Sequence, residues 1–230
     1  MRLIFLCLLG LSLSIVAGTA ITSDETNPGA WEVLKGCRLV NAPGNDGDSF
    51  KVVHMDREFI IRLYYVDCPE TYDTYKDRLK DQARYFSISE SEVIPSGKIA
   101  QAFTRQFLTD AFTVTTCWED ARGGEQKRYF GIVRKKDRLL STELVRNGLA
   151  RIYGMPTKDR WPDGFAPSVY LKKLEQHERT ARKTKKGIWG SARNSAQSAE
   201  PRKIIPFSKR RKHRARISPQ ISQIDRSLLN

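Results

Sequence analysis

Two short segments hold residues whose types and spacing suit one kind of chemistry: Asn45-Asp46-Gly47-Asp48-Ser49-Phe50 and Ile61-Arg62-Leu63-Tyr64-Tyr65-Val66-Asp67-Cys68-Pro69-Glu70. Together they supply three carboxylates, Asp48, Asp67 and Glu70, and one guanidinium, Arg62. Carboxylate oxygens are the ligands that a hard divalent cation prefers. A guanidinium fork matches two oxygens of a phosphate. Water attack on a phosphodiester adds negative charge to an anionic centre, so this set suits that reaction. His54, His177 and His213 lie away from these segments, which disfavours a histidine base or a histidine-bound metal.

The elements that must position these groups are strand-like. The runs 31–40, 49–55 and 58–66 are rich in β-branched and aromatic residues, and a polar turn at 55–58 separates the last two. Along the third run Ile60, Arg62, Tyr64 and Val66 share one face, and Ile61, Leu63 and Tyr65 the other. An arginine in so apolar a strand needs a partner, either a core carboxylate or a bound phosphate. Residues 71–95 form a polar insertion, partly helical around 80–86, which either covers the site or makes an inert surface loop, the second being the plainer reading. Ser96 is expected to cap a helix through Asp110. Two more strands, 112–118 and 128–134, flank a Gly123-Gly124 turn. Helices are predicted from Ser141 to Gly148 and from Pro167 to Gly187. Five strands with three helices indicate an α+β fold.

Charge and the two ends narrow the partner. The chain has 230 residues with 40 Lys/Arg against 26 Asp/Glu, a formal net charge of +14. Residues 201–230 hold nine of the basic residues and a single Asp, so the excess is shared between the main domain and the tail. A nucleic acid or another anionic surface is the expected partner. Residues 1–20 have a charged start, an apolar stretch and small residues, the pattern of a cleaved signal peptide. The apolar run is short for a membrane span, although a retained N-terminal anchor is the alternative. Residues 191–230 lack any helix or strand period and are expected to be a disordered basic tail. Without the leader, Cys37, Cys68 and Cys117 remain, an odd number with no zinc spacing. One bridge is conceivable, but apolar filling is the simpler role of Cys37 and Cys117.

Residues 34–189 resemble the staphylococcal nuclease (thermonuclease) family. Four pieces match in order: the Asp46-Gly47-Asp48-Ser49 turn; Arg62 through Glu70, ending Asp-x-Pro-Glu-Thr; Arg128 at a strand start; and Leu144-Val145-Arg146-Asn147-Gly148-Leu149-Ala150 with the later Gly187-Ile188-Trp189. The resemblance implies an OB-fold five-stranded β-barrel with three helices over residues 31–190. It also implies calcium-dependent cleavage of DNA and RNA to 3′-phosphate products. By the same resemblance Asp48, Asp67 and the backbone carbonyl of Cys68 would bind calcium, Glu70 would be the general base, and Arg62 and Arg128 would bind phosphate. The family's Tyr-Gly before the second arginine is here Gln126-Lys127, which leaves a nucleotide-contacting tyrosine unaccounted for. Tyr153 corresponds loosely to another aromatic at the substrate base.

The expectation is therefore a secreted or periplasmic, monomeric endonuclease with no stable membrane span once the leader is removed. A rival reading is an inactive nucleic-acid-binding module of the same fold. Retention of all five acidic and arginine positions argues against it. An adhesion or envelope protein using the basic tail leaves those five residues unexplained.

Overall fold

The computed structural model describes residues 30–121, 126–154, 162 and 166–191. The proposed leader, the Gly123-Gly124 turn and the basic tail lie outside the described residues.

Five strands close into a barrel: β1 (Glu32–Leu39), β2 (Ser49–His54), β3 (Arg57–Leu63), β5 (Phe112–Asp120) and β6 (Tyr129–Lys135). Neighbouring strands pair antiparallel, and a parallel pairing of β3 with β6 completes the ring. Closure leaves these strands no open edge along the paired stretch. Two-residue strands β4 (Val66–Asp67) and β8 (Arg151–Ile152) pair outside the barrel, and β7 (Arg138–Leu139) pairs antiparallel with the end of β6. The interior is filled by Phe50, Val52, Ile61, Leu63, Val114 and Ile132, all buried. On β3, Phe59, Ile61 and Leu63 face that core while Ile60 and Arg62 are half-buried, as the alternation predicts. The alternation stops there. The chain bends at Tyr64 and Tyr65, Tyr65 with φ +67°, and both rings turn into the core. The break lets Val66-Asp67 leave the barrel and pair elsewhere.

The architecture is an OB-fold of the α+β class. Four α-helices accompany the barrel among the described residues: α1 (Lys76–Phe86), α2 (Glu90–Phe107), α3 (Leu140–Arg146) and α4 (Pro167–Lys183). The one beyond the expected three is α1, formed by the polar insertion. Its Leu79, Ala83 and Phe86 join Val93, Ala181, Ile188 and Trp189 in a second apolar cluster apart from the barrel core. The insertion is thus folded and anchored rather than an inert loop. The cap of helix α2 is Ser89, seven residues before the expected Ser96, because Ser89 and Glu92 form a reciprocal capping box. Pro95 sits inside the helix, where it removes one backbone bond and its ring crowds the preceding turn. Gly148 and Gly187, from the two segments of the fourth matching piece, meet in space: the Ile188 amide donates to the Gly148 carbonyl at 3.1 Å.

Candidate active site

The Asp-Gly-Asp turn is built before it is charged. Asn45 donates to the Val40 carbonyl and accepts from the Lys51 amide, and an Asp46 oxygen accepts the amides of Asp48 and Ser49. Helix α2 locks the turn from outside, with Thr104 Oγ1 donating to the Gly47 carbonyl at 2.6 Å. A Cβ at Gly47 would lie 2.7 Å from Cys68 Sγ, so glycine is what lets the turn close on the next segment. Gly97 does the same from the helix side, where a Cβ would lie 2.6 Å from the Pro69 carbonyl oxygen. These contacts fix Asp48 against residues 67–70.

Register brings the guanidinium in. Ser49 of β2 pairs with Arg62 of β3, so Arg62 lies beside Asp48 and reaches its Oδ1 at 3.1 Å. The same guanidinium donates to Asp67 Oδ1 at 2.6 Å. Asp48 Oδ2 accepts the Cys68 amide at 2.5 Å. Arg128, the residue before β6, donates to Ser49 Oγ at 3.3 Å. The residues expected from the sequence are therefore brought together, Glu70 included, since it follows Asp67 by three positions.

Three further groups complete the array, and sequence reasoning missed them. Arg151 stands opposite Asp67 in the β4–β8 pair and donates to its Oδ2 at 2.7 Å. Gln82 of α1, fully buried, donates to Asp67 Oδ2 at 3.1 Å and to the Cys68 carbonyl at 3.0 Å, and accepts the Glu70 amide at 2.9 Å. Arg78, one turn earlier, donates through Nη2 to Asp67 Oδ1 at 2.9 Å and through Nε to Glu70 Oε1 at 2.5 Å. A cue for Gln82 existed: it is a polar residue among the buried positions of α1, with Leu79, Ala83 and Phe86.

The two buried aspartates titrate in opposite directions. Burial drives Asp48's pKa well above the usual carboxylate value; Arg62 opposes this, and the charges of Asp46 and Asp67 add to it. Burial also works to raise Asp67's pKa, but Arg151, Arg62 and Arg78 outweigh it and hold the carboxyl below the usual range. Burial and the neighbouring Asp48, Asp46 and Asp67 push the Cys68 thiol up, so its side chain is not a thiolate donor. Cys37, Cys68 and Cys117 are all free. Tyr153 packs its ring 4.6 Å from the Arg151 guanidinium carbon, one side chain from Asp67.

Among the described residues no three His, Cys, Asp or Glu side chains are gathered as a ready metal cage. The donor set nevertheless fits a hard cation. Asp48, Asp67 and the Cys68 carbonyl offer only oxygen, and a cation would favour the ionised form of Asp48 that burial disfavours. Asp67 is the harder ligand to recruit, because arginines and Gln82 occupy both its oxygens.

A five-stranded OB barrel carrying acids and arginines at this position defines a nuclease-like, nucleic-acid-binding class of protein. A family model described as staphylococcal nuclease homologue matches residues 60–191, more than half of the chain, and the protein belongs to that family. The family is generally nucleolytic and typically calcium-dependent. The matched span contains Arg62, Asp67, Cys68, Glu70 and Arg128, whereas Asp48 precedes it. No curated protein matches the chain. No helix among the described residues is long and apolar enough to cross a membrane.

Proposed function

We propose that this protein is a calcium-dependent endonuclease that hydrolyses phosphodiester bonds of DNA and RNA and leaves 3′-phosphate ends. The observation that carries the reading is the continuous hydrogen-bonded array of Asp48, Arg62, Asp67, Arg78 and Glu70 on the family's barrel. Asp48, Asp67 and the Cys68 carbonyl would hold the calcium, which when bound supplies electrostatic stabilisation of the added negative charge. Arg62 and Arg128 bind the oxygens of the scissile phosphate. Glu70 takes a proton from the attacking water, the new P–O bond forms, and the bond from phosphorus to the 5′ oxygen breaks, that oxygen keeping the bonding pair and taking a proton from solvent.

Digestion of single- and double-stranded DNA and of RNA, with calcium and then with a chelator, tests the reading. Cleavage that needs calcium supports it; no cleavage by folded protein sinks it. Glu70→Gln is expected to lower turnover by ~10²–10⁴-fold while nucleic-acid binding persists. One observation favours the rival, a binding module without catalysis: Asp67 is fully engaged by donors. Calcium titration of the wild type separates the two. We further propose export by cleavage near residue 20, to the periplasm or the outside, action as a monomer, and a sequence-blind phosphate-binding role for residues 191–230. The N-terminal sequence of the mature protein, its elution in gel filtration and the salt slope of a chain ending at Gly190 are the respective checks.

A further inference from the structure

Asp67 accepts four hydrogen bonds, two on each oxygen, which fills the lone-pair sites of a carboxylate. For Asp67 to ligate a cation, one donor must leave. Three of the four are held elsewhere. The Arg151 side chain is 4% exposed, pairs with Asp81 as well, and lies against Tyr153. Gln82 is buried and its amide also serves the Cys68 carbonyl and the Glu70 amide. The Arg62 side chain is 17% exposed and shared with Asp48. Arg78 is 37% exposed, and its other partner is the half-buried Glu70 carboxylate.

Nor is Arg78 needed to hold α1 down. The helix is anchored by Leu79, Ala83 and Phe86 in the second apolar cluster and by Tyr85, which donates to Glu178 on α4. A partly exposed ion pair adds little to such an anchor.

The geometry points to Arg78 as a third phosphate-binding guanidinium, one that covers Asp67 and Glu70 until a polynucleotide phosphate draws it away. The inference rests on the calcium-dependent nuclease reading. Arg62 and Arg78 meet on the same oxygen, Asp67 Oδ1. Once that oxygen passes to a cation, both guanidinium groups need another acceptor. A phosphate, with several oxygens and a fixed negative charge, satisfies both forks. The transfer also releases Glu70 Oε1 from Arg78 Nε, and a carboxylate oxygen so released can accept a proton from water. Substrate binding would thereby uncover the base.

Arg78→Gln tests this with two readouts besides cleavage. Calcium affinity, measured by calorimetry without nucleic acid, is expected to tighten by ~10-fold, since a charge-assisted competitor for Asp67 is removed. Binding of a short single-stranded oligothymidylate to the calcium-loaded protein is expected to weaken, and its log–log salt slope to shrink by ~0.7, the loss of one phosphate contact. Arg78→Lys keeps the charge without the fork, so it is expected to keep wild-type calcium affinity but bind the oligonucleotide less well; it also serves if the glutamine variant fails to fold. Wild-type calcium binding with no tightening and an unchanged salt slope in the variant would overturn the inference alone. Absence of calcium binding from both proteins would overturn the nuclease reading and this inference with it.

Discussion

The two walls of the site treat their aspartates differently. On the barrel wall Asp48 meets one guanidinium and a backbone amide, and its carboxyl is pushed above the usual pKa. On the wall made by α1 and the β4–β8 pair, Asp67 meets three arginines and Gln82, and its carboxyl is held below the usual pKa. Both are buried within one array and share Arg62, so burial alone does not decide their charge. What decides it is whether the surrounding elements bring in cations. Asp48 has only the Arg62 guanidinium, shared with Asp67, against its burial, and so suits an added metal ion. The other wall is already neutralised from within, and so doubles as structure.

The largest consequence is for stability. Asp67→Asn keeps the shape but leaves Arg151 buried beside a neutral amide, and breaking a buried ion pair costs about 3–5 kcal/mol. The pH dependence follows from the lowered pKa: Asp67 contributes stability above the unfolded value of ~3.9 and loses it as pH falls through the folded value. Urea melts should therefore show a large gap between wild type and variant at neutral pH that closes in acid. A gap that persisted unchanged in acid would mean that hydrogen-bond geometry, not charge, is what Asp67 supplies.

A smaller loss isolates the helix contribution. Gln82→Leu keeps the helix and the bulk but strands the Glu70 amide, at a cost of about 1–3 kcal/mol for a buried unsatisfied group. The same change frees the Cys68 carbonyl and one site on Asp67 Oδ2. Melting temperature should fall, and turnover should fall with it because Glu70 loses its backbone hold. If only melting temperature moves, the helix wall supports the fold but does not position the base.

The barrel wall was legible in the sequence because its contacts are local. Asp48 and Arg62 meet through one hairpin register, and Asp67 and Glu70 follow on the same chain segment. The helix wall was not. Arg151 reaches Asp67 through a two-residue strand pair 84 positions apart, too short for any periodic signal. In α1 the charged residues outnumber a narrow apolar stripe, so the segment looks like a solvated insertion until its cluster with Ile188 and Trp189 is seen. The start of α2 was hidden for a simpler reason. Pro95 suggests that a helix begins after it, yet the capping box at Ser89 and Glu92 starts the helix earlier and Val93 packs the extra turn into the second apolar cluster.

The smallest effect is also the sharpest test of the comparison. Asp48→Asn removes a carboxylate that the fold holds against its own preference, so the stability cost at neutral pH should be about 1 kcal/mol or less, well below that at Asp67. The sign of its pH dependence is opposite. A raised folded pKa means that Asp48 contributes stability below the unfolded value of ~3.9, and that this contribution is lost as pH rises through the folded value. The gap between wild type and Asp48→Asn should therefore narrow as pH rises, where the Asp67→Asn gap widens. Calcium should reverse the comparison: its binding to the wild type should strengthen with pH as Asp48 gives up its proton, and should weaken markedly in the variant. Urea melts of both variants across one pH series, with and without calcium, read all of this from a single set of curves. Parallel slopes for the two variants would mean that Arg62 keeps Asp48 ionised after all, and the contrast between the two walls would be one of degree.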